Sequence, residues 1–230
     1  MSVSIVIPHY GDADLLGGCV DAIVWHTDDY ELVVVDNGTG VPVHANVVIR
    51  NPQNRGFAVA CNQGAAAAHA AHLVFLNNDT EVQAGWLEPL VARLNRGAGI
   101  VGSLLRYPSG TVQHAGVALH RDPAGVLVAE NRRGDYSPGR VEAVTGACLA
   151  IRRDLFWQLG GFDTGYHNGY EDVDLCLTAR AAGHTVVFEP ASVVVHHESA
   201  SGPARWTHVR QNVARLQQRW AAYEPVGAVA

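Results

Sequence analysis

The sequence predicts an α/β domain with a mostly parallel central sheet and helices on both faces. Short apolar runs of strand length, such as "VSIVIP" and "ELVVVD", end in turn residues. Between them lie segments whose apolar residues recur at helical spacing. This alternation is the pattern of βαβ units, and sheets built that way hold ligands beyond the carboxyl ends of their strands.

In chain order, the strand "VSIVIP" is stopped by Pro8, and the helix "DADLLGGCVDAIVWHT" follows behind Asp12, a residue type that caps helices. "ELVVVDNGTG" and "NVVIRN" read as the second and third strands, "GFAVACNQGAAAAHAA" as an alanine-rich helix, and "LVFLNND" as the fourth strand. The helix "AGWLEPLVARLN" closes this half. The second half opens with strand-like runs broken by turn signals in "IVGSLLRYPSGTVQHAGVALH". Residues Arg121 to Arg140, rich in Gly, Pro, Asp and Arg, read as a long loop, which in a compact domain is usually functional or disordered. Then come the strand "EAVTGACLAIR", the helices "RDLFWQLG" and "EDVDLCLTARAAG", and two strands, "HTVVFEP" and "SVVVHH". A last helix from about Ala204 to Ala222 carries Arg205, Arg210, Arg215 and Arg219.

With 230 residues and 48% hydrophobic content the chain can bury a proper core, and residues 1–230 read as one domain. Two halves (1–105 and 106–203) and a C-terminal helix (204–222) divide it. A net charge of -6 argues against a surface built for nucleic acid, and all 16 cationic residues are arginine. The lack of lysine excludes a P-loop and Schiff-base chemistry. Four cysteines (Cys19, Cys61, Cys148, Cys176) far apart in sequence predict buried thiols and no disulfide. No cationic leader precedes the first strand and no apolar run reaches membrane-spanning length, so a cytoplasmic protein is expected. The sequons at Asn37 and Asn78 are then chance matches.

Three strand ends, "IPHYG", "VVVDNGTG" and "FLNNDTE", deliver polar and aromatic residues to one sheet edge. Asp36 reads either as a turn-closing residue or as an acceptor for a base or ribose. Asp79 reads either as a turn or cap residue or as an oxygen ligand for a divalent cation on a diphosphate. "GAGIVG" (Gly97 to Gly102) matches the dinucleotide pattern, but it follows a helix and precedes a strand, so it reads as a helix C-cap and return turn. Glu171, Asp172 and Asp174 open a helix, where acids favour the macrodipole, yet the glycines and aromatics before them suit a carboxylate offered to a substrate hydroxyl as general base. His196 and His197 end a strand on opposite faces, so one of them faces the site.

The order "SIVIPHYG", "VVVDNGTG", "NRGFAVACNQG", "FLNNDTE", "TGACLAIRRDLFWQLGGFDTGY", "YEDVDLCLTARAAG" and "VVVHHESAS" resembles the family 2 glycosyltransferases of GT-A fold, especially the bacterial rhamnosyltransferase-like branch. The resemblance implies a GT-A fold with a mixed, mostly parallel sheet. It implies that Pro8, His9 and Tyr10 line the nucleobase pocket, that Asp36 holds base or ribose, and that Asn54, Arg55, Gly56 and Phe57 form the donor segment. "NND" stands at the DXD position, with Asn77 in place of the first Asp and Asn78 between. Asp79 then carries the metal role, and His196, five residues before Ser201, completes the metal or diphosphate site. Asp172 is the implied base with Glu171 beside it, and Gly146 and Tyr170 lie on the acceptor side. The implied reaction is inverting transfer from a dTDP-, UDP- or GDP-sugar to a glycan or other hydroxyl acceptor, assisted by Mg²⁺ or Mn²⁺. A nucleotide-sugar binder without transferase activity and a sugar nucleotidyltransferase are the competing classes. The arginines of the last helix suit an anionic lipid carrier, a wall polymer or nucleic acid, or are a solvated face. Peripheral attachment at the inner membrane surface and a homodimer follow as options.

Overall fold

The structure is a computed structural model describing residues 3–134, 136–198 and 207–225. The first half holds β1 (Val3–His9), α1 (Ala13–His26), β2 (Tyr30–Asp36), β3 (Val47–Arg50), α2 (Phe57–Ala67), β4 (His72–Leu76), β5 (Thr80–Val82) and α3 (Leu87–Asn95). The second holds β6 (Ile100–Arg106), β7 (Val112–His114), β8 (Val117–Arg121), β9 (Leu127–Asn131), β10 (Gly139–Arg140), β11 (Cys148–Arg152), α4 (Arg153–Gln158), α5 (Glu171–Ala181), β12 (Val186–His196) and α6 (Val209–Arg219).

The main sheet runs β10-β12-β6-β11-β4-β1-β2-β3, with β5 on β12 and β7 on β6. β4, β1, β2 and β3 pair in parallel, as βαβ units require. The sheet becomes mixed at β11, which runs antiparallel to both β4 and β6. Each central strand serves two cores because side chains alternate across the sheet. Val6, Val33 and Phe75 pack with α2, α4 and α5 on one face, while Ile5, Val34 and Val74 pack with α1 and α3 on the other. That double coverage is why these strands read as unbroken apolar runs.

α1 begins where predicted, with Asp12 accepting the Asp14 N–H at 2.9 Å. α2 rides close to the sheet: a β-carbon on Gly64 would overlap the Val6 side chain. The "GAGIVG" segment is the return turn expected, with Gly97 at a left-handed φ of 95° just past α3. All four cysteines are buried and free.

Three expectations change. The predicted long loop is mostly a hairpin: β8 and β9 pair antiparallel, and Asp122 closes the turn by accepting the Ala124 and Val126 N–H groups, both at 2.9 Å. The two predicted late strands are one strand, β12, whose register shifts between Glu189 and Val193. Pro190 sits inside that irregularity, where a strand tolerates a missing N–H. α6 is shorter than predicted, and Arg205 and Ser201 lie outside the described residues.

Candidate active site

A cavity of about 510 Å³ opens where β1 and β4 end, and residues far apart in sequence meet on its walls. Pro8, His9 and Tyr10 come from the end of β1, and Asn77, Asn78 and Asp79 from the end of β4. Gly146 arrives on the turn before β11, Glu171 and Asp172 on the first turn of α5, and His196 at the end of β12.

The first pair is Asp79 with His196. Asp79 Oδ1 lies 3.1 Å from His196 Nε2, and both side chains are largely buried. Burial opposes ionisation of Asp79, but the His196 hydrogen bond and charge outweigh it and hold the carboxyl below its ordinary range. Asn77 Nδ2 lies 3.4 Å from the same ring nitrogen. Asn78 donates from Nδ2 to His9 Nδ1 at 3.0 Å, which leaves His9 Nε2 buried without a partner among the described residues. Burial pulls the His9 pKa down, so the ring stays neutral. His197 turns the other way, to Glu81 at 2.8 Å, so one histidine faces the site and its neighbour does not. A carboxylate and an imidazole aimed at one point suit a divalent cation. No group of three or more His, Cys, Asp or Glu side chains able to hold a metal occurs among the described residues, so the protein offers a partial ligand set.

The second pair is Glu171 with Asp172. Asp172 Oδ2 accepts the Gly146 N–H and Oδ1 the Val173 N–H, each at 2.8 Å. Glu171 Oε2 accepts the Gly169 N–H at 2.7 Å. Burial raises both pKa values, and the Asp172 charge raises that of Glu171 further. Asp172, with two backbone donors, is the member that ionises first, and Glu171 keeps the proton. The Thr145 side chain is a further donor to Asp172, and since a carboxylate accepts about four hydrogen bonds, a position is left for a substrate hydroxyl. Gly146 makes the approach feasible: a β-carbon there would sit 3.2 Å from the Phe57 ring and 3.4 Å from Asp172 Cβ.

The loop before α5 is strained. Asn168 and Tyr170 have left-handed φ values of 50° and 73°, rare for side-chain-bearing residues. Asn168 reaches across to α2, which has no side-chain cap of its own, and accepts the Phe57 N–H at 3.1 Å.

Four predicted residues stand off the cavity wall. Asp36 is occupied as a turn closer, accepting from Thr39 N at 2.8 Å, Thr39 Oγ1 at 2.6 Å, Gly40 N at 2.9 Å and Arg50 at 2.7 Å. Arg55 and Gly56 shape the donor segment through backbone geometry while Asn54 and Phe57 reach the cavity. Tyr170 packs against the core. Sequence reasoning missed Asn37, Gln113, His114, Thr145, Asn168 and Glu198, all lining the cavity. Asn37 ties the donor segment together by donating to Asn54 Oδ1 at 2.9 Å and accepting the Arg55 N–H at 3.0 Å.

The family model for Glycosyl transferase family 2 matches residues 4–160. The chain therefore belongs to that family. It is 33% identical to the O-antigen biosynthesis protein RfbC of Myxococcus xanthus, over 86% of this chain and 17% of that protein. It is 28% identical to an N-acetylglucosaminyl-diphospho-decaprenol L-rhamnosyltransferase of Mycobacterium tuberculosis, over 74% of this chain and 67% of that one. In fold it is similar to GalNAc-T7, solved with UDP, GalNAc and Mn²⁺, at a TM-score of 0.71 and 23% identity, covering 85% of this chain and 43% of that one. The chain thus spans less than half the length of two of these three. The fold is that of the GT-A glycosyltransferases, with the mixed sheet expected. No helix among the described residues is long and apolar enough to cross a membrane.

Proposed function

We propose that this chain transfers a sugar from a nucleoside-diphosphate donor to an acceptor hydroxyl with inversion, Asp172 acting as general base. The observation that carries the reading is that the Asp79–His196 pair and the Glu171–Asp172 pair open on one cavity. Asp172 takes the proton of the acceptor hydroxyl as its oxygen bonds to the anomeric carbon. The bond from that carbon to the diphosphate oxygen breaks on the opposite side, and the diphosphate leaves with the electron pair. General-base help of this kind is worth about 10² to 10⁴ in rate.

Asp79 and His196 would hold a divalent ion, Mg²⁺ or Mn²⁺, with diphosphate oxygens filling the remaining positions. When bound, such an ion offsets the charge gathering on the leaving diphosphate. The fit rests on charge as well as ligand type: Asp79, Asp172 and Glu198 line the cavity beside the protonated Glu171, and no arginine does so among the described residues. Neutral Asn37, Asn54 and His9 suit a dTDP, UDP or GDP donor. The acceptor would enter beside Gly146 and Asp172, as a glycan or other hydroxyl compound.

The test uses radiolabelled sugar nucleotides with and without acceptor. Asp172→Asn is expected to abolish transfer and leave donor affinity within a few fold, whereas Asp79→Ala weakens donor binding and metal response together. Equal loss of donor binding in both variants contradicts these roles.

A further inference from the structure

We infer that Gln113 is a positioning residue that holds the His196 imidazole with Nδ1 protonated and Nε2 turned on Asp79. Its consequence for metal binding rests on the reading above. Gln113 sits on β7, antiparallel to β6, and is 4% exposed. Its Oε1 lies 2.7 Å from His196 Nδ1, and its Nε2 donates to Glu198 Oε2 at 3.2 Å.

The chemistry of the three groups sets the direction of both bonds. An ionised carboxylate only accepts, so the amide must turn its NH₂ to Glu198. The amide oxygen is then left for His196, and an oxygen acceptor needs a proton on Nδ1. The second ring nitrogen is thereby fixed at the cavity, 3.1 Å from Asp79 Oδ1. With Nδ1 committed to Gln113, Nε2 is the nitrogen that donates to Asp79 when protonated, and the one that would offer its lone pair once a metal displaced that proton. Partners of this kind orient a ligating histidine, and their loss typically lowers metal affinity 10- to 100-fold. Gln113 also lines the cavity, but its amide oxygen and nitrogen are committed to His196 and Glu198, so its proposed effect on the ion passes through His196.

Two measurements on the full chain test the assignment. The first is the ¹⁵N shift of the His196 ring, which separates a protonated nitrogen from an unprotonated one. Wild type is expected to keep Nδ1 protonated, and Gln113→Met, similar in size but without the acceptor, to lose that signature. An unprotonated Nδ1 in wild type, or an unchanged signature in Gln113→Met, overturns the inference. The second is affinity for Mn²⁺ alone, followed by electron paramagnetic resonance. Gln113→Met is expected to weaken it on the order of 10-fold or more. The exchanged pair Gln113→Glu with Glu198→Gln keeps an acceptor facing His196 and is expected to restore affinity to within a few fold. Weakening that the exchange does not restore overturns the inference in favour of a packing role. Mn²⁺ affinity that survives His196→Ala removes the metal reading instead, and the ring-nitrogen signal then decides the Gln113 assignment alone.

Discussion

Glu171 is nine-tenths or more hidden from solvent, yet it lies one residue from a carboxylate proposed to be ionised. Burial first, and the Asp172 charge second, raise its pKa in the folded chain. The folded state therefore favours the protonated form, a contribution fully present below the ordinary glutamate value of about 4.3 and lost as pH climbs through the raised value. Glu171→Gln stays neutral throughout. Its melting temperature relative to wild type is expected to rise between pH 5 and pH 9, measured by thermal unfolding at both. A gap that does not change with pH contradicts a protonated Glu171. That Asp79 and Asp172 reach one cavity was legible because the motifs placed carboxylates at strand and helix ends. For Asp36 turn closure was one of two readings, and sequence did not decide between them, since it does not state where the turn and Arg50 will aim their donors.

Among the elements, α6 bears on the cavity from outside the residues matched by the family model. Asn212, 2% exposed, accepts the His167 N–H at 3.1 Å and donates to the His167 carbonyl at 2.9 Å. Arg215 and Arg219 bind Asp163, and Arg219 and Trp220 reach Asp174 on α5. Two of the four arginines considered for an anionic acceptor thus hold the helix to the strained loop before Glu171. Asn212→Ala is expected to cost about 1 to 2 kcal/mol in chemical denaturation and to lower kcat more than it changes donor affinity. Unchanged turnover shows that the loop keeps its shape without the helix. Helices with strong periodicity and the strands of the first half were legible. The β8–β9 hairpin was hidden because its turn residues, Asp122, Pro123 and Gly125, look like loop composition until two short strands are seen to flank them. β12 was split at Pro190, since a proline inside a strand argues for a break unless a bulge absorbs it.

At the scale of the molecule, the cavity wall carries four acidic side chains, of which Glu171 holds its proton, and no arginine among the described residues, a poor reception for a diphosphate by itself. Donor binding should therefore depend on cation. Removing divalent metal with a chelator is expected to weaken nucleoside-diphosphate affinity by about tenfold or more, read by titration calorimetry. Affinity that is indifferent to the chelator contradicts the proposed use of Asp79 and His196. The sheet edge was predictable from strand order, but the cavity's far wall was not, because β7, β12 and the turn before β11 converge through long-range pairings, antiparallel for β7 and β11 and parallel to β6 for β12, that no local pattern announces.

The contact between Gly64 and Val6 also bears on any effort to make the protein hardier. Adding a methyl group at Gly64 would lever α2 off the sheet, and with it Phe57, which packs against Gly146 beside Asp172. Gly17 and Gly18 are the opposite case: both lie inside α1 with nothing within 4 Å of an added β-carbon. Alanine at each of those two positions should stabilise the fold by about 0.4 to 1 kcal/mol, by restricting the unfolded chain, without touching the chemistry. Engineering for durability therefore belongs on the first helix, and the second is best left as it is.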